Sequence, residues 1–203
     1  MFHYAPERSD KMSLIKTAVF GVLSVLFLIT FILGLSMNSQ GSVEKYNTLI
    51  AADEAGGDVE TALNDLRSHI YSHMNSEIGG GENSIYPPIQ LSGTYKRLVE
   101  AEEARVEKAN EDLYAKAQDY CEATGSQGFS GRNRVDCINK YVDNNGTEAR
   151  PIDDSFYKYD FVAPRWSPDI AGVSLVLLII FSLLTFYNAV NYLRIRHMVH
   201  MGN

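Results

Sequence analysis

Two stretches of this chain are apolar on every face, and the residues between them show the rhythm of amphipathic helices. The first apolar stretch, residues 17–37 (TAVFGVLSVLFLITFILGLSM), contains no charge, and neither does the second, residues 170–192 (IAGVSLVLLIIFSLLTFYNAVNY). A helix rising about 1.5 Å per residue crosses a hydrocarbon layer about 30 Å thick in some 20 residues, which is the length of each. A short chain has too little remaining mass to bury two such helices in a soluble core, so both read as transmembrane. The intervening segment behaves differently. Val43, Tyr46, Leu49 and Ile50 fall on one helical face, which suggests that the helix of the first span continues, with a break at Gly41. Gly56-Gly57 stops it. Asp58 stands where an N-cap belongs, ahead of Val59, Ala62, Leu63, Leu66, Ile70 and Met74 in near-ideal helical spacing, and this helix should last until the glycines at 79–81.

Prolines 87 and 88 impose an extended course on the next segment, whose Ile85, Tyr86, Ile89 and Leu91 favour packing against helices. A further stripe (Tyr95, Leu98, Val99, Val106, Ala109, Leu113, Ala117, Tyr120) predicts one amphipathic helix of nearly 30 residues. Gly125, Gly128 and Gly131 mark a loop, residues 134–142 a short helix, and residues 143–168 an irregular, aromatic-rich remainder. Three helices with one apolar stripe each bury those stripes against one another. The expected fold is therefore mostly α: two transmembrane helices flanking an extracytoplasmic up-down helical bundle with an irregular C-terminal third. It divides into an N-terminal tail (1–16), a first span (17–37), a helical domain (38–169), a second span (170–192) and a C-terminal tail (193–203).

Charge sets the orientation. Arg8, Lys11 and Lys16 precede the first span, and Arg194 and Arg196 follow the second, so both termini should be cytoplasmic and residues 38–169 extracytoplasmic, at the cell membrane. The chain carries a formal net charge of −7; residues 38–169 hold 13 Lys or Arg against 23 Asp or Glu. That acidity opposes nucleic-acid binding, which needs an excess of cations. Gly34 and Ser36 are spaced like a signal-peptidase site, but the apolar run exceeds the usual signal core; a retained span is the better reading and cleavage the alternative. The two cysteines, Cys121 and Cys137, both lie in the outer segment and form no Cys-x-x-Cys pair. In an oxidising compartment they read as a disulfide, with two separate buried thiols as the alternative.

Candidate chemistry is sparse. Asp65, His69, His73 and Glu77 recur every four residues on the second predicted helix, a line of two imidazoles between two carboxylates suited to a divalent transition metal. A solvated or boundary face explains the same residues without a ligand. Residues 143–148 offer the oxygens of part of a calcium loop, but the glycine comes too early, and a plain turn fits better. Asn145-Gly146-Thr147 is a glycosylation sequon, relevant in a host that glycosylates. No nucleophile elbow, phosphate-binding loop or dinucleotide fingerprint occurs, so neither an enzyme nor a cofactor is expected. Neither span carries an ionisable side chain, which argues against a pump or channel. Ser13, Thr17 and Gly21 form a row of small residues that supports pairing of the spans.

The runs Asp58-Val-Glu-Thr-Ala-Leu-Asn-Asp-Leu-Arg67, His73-Met74-Asn75, Tyr86-Pro-Pro-Ile-Gln-Leu91 and Thr94-Tyr95-Lys-Arg-Leu98 resemble small two-pass proteins of reduced-genome, Saccharibacteria-type bacteria. That resemblance implies a host and no activity. The architecture also resembles the input half of bacterial receptors with four-helix sensor domains, without the signalling linker and output domain that those receptors carry after the second span. The expected role is thus a membrane-anchored interaction module, scaffold or accessory subunit of a cell-envelope complex. Its partners would be the lipid bilayer and a protein or a second copy. The alternative is a ligand- or metal-sensing input domain that signals through a separate cytoplasmic partner.

Overall fold

Both apolar stretches are helical, and both helices run past the lipid-length segment. The computed structural model describes residues 6–79, 85–124 and 132–201, and the chain is mostly helical, at 76%. In order, the elements are α1 (Pro6–Ala55), α2 (Val59–Ser72), β1 (Ile89–Gln90), α3 (Ser92–Asn110), α4 (Leu113–Ala123), α5 (Arg132–Asn145), a 3-10 turn (Asp154–Phe156), β2 (Lys158–Tyr159) and α6 (Ile170–Met201). The chain forms two compact units. One draws on Met1–Ala52, Asp58–Pro88 and Asp160–Asn203, the other on Asp53–Gly57 and Ile89–Tyr159.

The first unit contains the two long helices, which pair antiparallel. The less exposed positions of α1 include Ser13, Thr17, Phe20, Ser24, Phe27, Phe31, Gly34 and Asn38, a set that recurs at alternating four- and three-residue steps. Those of α6 include a set with the same spacing: Ala171, Ser174, Leu178, Phe181, Thr185, Asn188, Tyr192 and Ile195. This is the 3.5-residue repeat of a left-handed helix pair. The seams meet in one register. Ser13 Oγ donates to the Asn188 carbonyl at 3.1 Å, Phe27 stacks on Phe181 with centroids 5.4 Å apart while the Phe20 ring meets it tilted at 6.1 Å, and a Cβ added at Gly34 would lie 2.9 Å from the Ala171 nitrogen. Small residues let the backbones approach, as they do in membrane helix pairs. The remaining faces expose Val22, Leu33, Leu183 and similar aliphatic residues, a surface suited to lipid.

Gly41 does not break α1. The helix is continuous there, and the glycine leaves room for the neighbouring His69 ring: an added Cβ would sit 2.8 Å from its Cε1. The helix ends instead at Gly56, whose φ of +64° suits a residue without a Cβ. The Asp58 side chain then accepts from the Thr61 amide at 3.0 Å, and that bond holds its carboxyl below the usual value. The stripe of α2 packs as its spacing requires, with Leu66, Ile70 and Met74 buried. The helix stops at Ser72 rather than at the glycines, because His73 is extended (φ −130°, ψ 135°) and Asn75 turns the chain at φ +56°.

In the second unit the predicted 30-residue helix is two helices. α3 ends at Asn110 and α4 starts at Leu113, with Asp112 (φ −92°, ψ 2°) between them. The break follows a tertiary bond rather than a breaker residue. Asn110 Nδ2 donates to the Thr147 carbonyl (3.0 Å), and the Thr147 amide donates to Asn110 Oδ1 (2.9 Å). Beyond the break α4 buries Leu113, Ala117 and Cys121 at four-residue steps and packs on α5. A short antiparallel ladder pairs Ile89 with Tyr159 and Gln90 with Lys158, and places Ile89 and Leu91 in the core as the extended segment suggested. Ile85 and Tyr86, by contrast, are exposed. The glycine loop expected at 125–131 and the glycines at 80–81 lie outside the described residues.

Candidate functional site

The histidine row divides at the end of α2. Asp65 is exposed on the helix, and His69 and His73 are half-buried with their rings stacked at 4.3 Å. His69 Nε2 donates to the Asn38 carbonyl (3.1 Å), and His73 Nδ1 to the His69 carbonyl (2.9 Å). Glu77 lies beyond the helix and accepts the Ala163 amide at 3.2 Å. The structure thus joins the two imidazoles but not the full row of four. Among the described residues no three His, Cys, Asp or Glu side chains are placed to share an ion.

What surrounds the imidazoles is a polar junction where α1 leaves its apolar stretch and α6 begins one. Buried Asn38 donates to the Met74 carbonyl (2.9 Å) and to Asp169 Oδ2 (2.6 Å), and Ser167 Oγ accepts the Met74 amide at 2.9 Å. Asp169 caps α6 by accepting the Gly172 amide at 2.7 Å. Burial opposes ionisation of Asp169, but the bonds from Gly172, Ser167 and Asn38, with His73 nearby, outweigh it and hold the carboxyl below its usual value. The sequence signal for this junction was a polar residue directly beside each apolar run. Every one of these groups has a protein partner, so the arrangement is a latch.

A more open site lies in the second unit, between α4 and α5. Cys121 and Cys137 are at disulfide distance (S–S 2.02 Å) and join the two helices, with Cys121 buried. Beside the bridge is a groove of about 630 Å³, within the range of about 300–1,000 Å³ usual for small-molecule sites. Asp136, Lys140 and Asn144 stand one helical turn apart along one wall, with Tyr141 in the adjacent row and Tyr120 of α4 facing them. The two tyrosine rings are 5.1 Å apart and inclined by 38°, and Tyr120 is 52% exposed. The side chains of Asp136, Lys140 and Asn144 make no hydrogen bond or ion pair with another described residue, whereas Asn145 Nδ2 donates to the Tyr141 carbonyl at 2.8 Å. The supposed calcium stretch is the C-terminal end of α5, closed by the Gly146 amide on the Val142 carbonyl at 2.7 Å. Sequence reasoning missed the groove because its residues look like one solvated helix face until Tyr120 is placed opposite them. No family model matches this chain, and neither a curated protein nor a solved structure matches it.

Proposed function

We propose that this chain is a membrane-anchored, non-catalytic interaction module of the cell envelope, with both termini cytoplasmic and residues 38–169 outside. The observation that carries the reading is the groove on the disulfide-linked pair α4–α5, where aromatic rings and uncommitted polar side chains converge on a covalently braced wall. A braced wall loses little conformational freedom on binding, so more of the contact energy survives as affinity. The cationic flanks of the spans and a cystine in the intervening segment both favour the outside placement. A photo-crosslinking residue placed at Tyr120 or Asn144 in intact cells tests this. It should capture an envelope component, and an impermeant thiol reagent should reach Cys121 and Cys137 once they are reduced. A chain that captures nothing at either position, or whose cysteines stay protected until lysis, overturns it.

One observation favours the sensing alternative. α1 is a single uninterrupted helix from before the first span to Ala55, the form expected of an element that transmits a displacement. Thermal unfolding of the full chain titrated with zinc checks it. Stabilisation that disappears in His69→Ala/His73→Ala would support metal sensing, and no response to zinc would count against it.

A further inference from the structure

The interaction reading leaves the occupant of the groove open, and the lining narrows it by chemistry. Opposite charges on Asp136 and Lys140 give the wall no net charge, so it has no electrostatic preference for a polyanion. Both walls are helices whose backbone groups are bonded within the helix, so the groove offers no strand edge to an extended peptide. Nor is it an apolar trough for an amphipathic helix, because Asp136, Lys140 and Asn144 occupy one side. What remains is a ring face flanked by groups that both donate and accept hydrogen bonds. A pyranose is complementary to that: one face of C–H bonds lies on an aromatic ring, and its rim of hydroxyls both donates and accepts. We propose that the Tyr120–Tyr141 groove binds a neutral or N-acetylated sugar ring of an envelope glycan, with Tyr120 as the stacking platform and Asp136, Lys140 and Asn144 reading its hydroxyl and amide groups. This rests on the interaction-module reading and names the ligand class of the same site.

The same geometry sets the division of labour along the wall. Asp136 accepts, Lys140 donates and Asn144 does both, and partners one helical turn apart match the hydroxyl and amide groups of successive rings along a glycan strand, the ring on Tyr120 and its neighbours. The cystine keeps the α4 platform and the α5 row at a fixed separation, which a stacked ring needs more than a flexible polymer does.

The test uses the full chain with its disulfide intact, in lipid nanodiscs free of glycoside detergents, whose sugar headgroups would compete for the groove. Chitotetraose and maltotetraose are titrated calorimetrically, with a heparin fragment as the polyanion control. One of the two uncharged oligosaccharides should bind more tightly than heparin. Tyr120→Ala should weaken that binding by about tenfold or more, while Tyr120→Phe, which keeps the ring, retains it. Asn144→Ala should weaken it by a smaller factor, and as an exposed helix position it leaves the fold intact. Unchanged far-ultraviolet circular dichroism and an unreactive Cys121–Cys137 pair establish that each variant is folded. If neither oligosaccharide binds, or if binding ignores both Tyr120→Ala and Asn144→Ala, the sugar proposal falls. If in that case a crosslinker at Tyr120 still captures an envelope protein, the interaction-module reading stands without it. If nothing is captured either, both fail.

Discussion

Asp53 shows how much one side chain can decide. It sits in the last turn of α1 with its side chain almost wholly buried, and its carboxylate accepts from the Gly93 and Thr94 amides (2.7 Å each), Thr94 Oγ1 (2.6 Å) and Arg97 (3.0 Å). The residue in the N-cap position of α3, Leu91, makes no side-chain cap, so Asp53 supplies that cap from a distance in sequence. Asp53→Ala should lower stability by about 3 kcal/mol, with Asp53→Asn less harmful, as measured by thermal unfolding of the full chain. The sequence displayed Asp53 only as one acid among many, because a cap supplied across about 40 residues leaves no local pattern. Glu102 is a second case. It accepts two bonds from Arg105 (2.8 and 2.7 Å) and the Arg150 amide (2.7 Å), which bring its carboxyl down from an ordinary 4.5 to about 2. A depressed carboxylate stabilises the fold fully above its unfolded pKa and loses that contribution as pH falls toward the folded one. Stability should therefore decline between about pH 4.5 and 2, and Glu102→Gln should make that decline shallower in acid-unfolding curves.

At the scale of elements, the sequence was most readable where periodicity and punctuation agreed. The α2 start at Asp58 is an example, since an N-cap, an apolar stripe and a preceding glycine pair all specify the same residue. It was least readable where a long-range bond overrode the local pattern. Nothing between Asn110 and Leu113 is a helix breaker, yet the Asn110–Thr147 pair sets a boundary there. The heptad seams were hidden for another reason. In an apolar helix, hydrophobicity cannot distinguish the seam from the exposed face, and only the Ser, Thr, Gly, Ala and Asn residues mark it. The groove was hidden similarly, since Tyr120 and Tyr141 belong to different helices and only the Cys121–Cys137 pair hinted at their proximity. That pair closes a sequence separation of 16. Breaking it with Cys121→Ser/Cys137→Ser should destabilise the second unit by about 2–5 kcal/mol. Hydrogen exchange should show the loss concentrated in α4 and α5, and an equal loss in α2 would contradict the assignment.

For the molecule as a whole, what was legible at the outset was two membrane-length helices and a helical segment between them. The two-stranded ladder and the way the chain is shared between two units were not, because the ladder pairs residues roughly 70 positions apart and Asp53 bonds to residues about 40 positions on. The antiparallel seam has a consequence for assembly. If the pair slipped by one repeat, Leu178 would come to the position of Ala171, opposite Gly34, where the backbones are too close to admit even a methyl group. Such a slip is thus penalised by bulk, and the alignment is written in the two helices themselves rather than in the segment that joins them. Synthetic peptides covering the two spans, mixed in bilayers with no covalent link, should find each other in this one alignment. Donor and acceptor dyes at opposite ends would report it, and Gly34→Leu should abolish the signal. A pair that forms equally well with that substitution, or in parallel orientation, would mean that the connecting chain does the aligning.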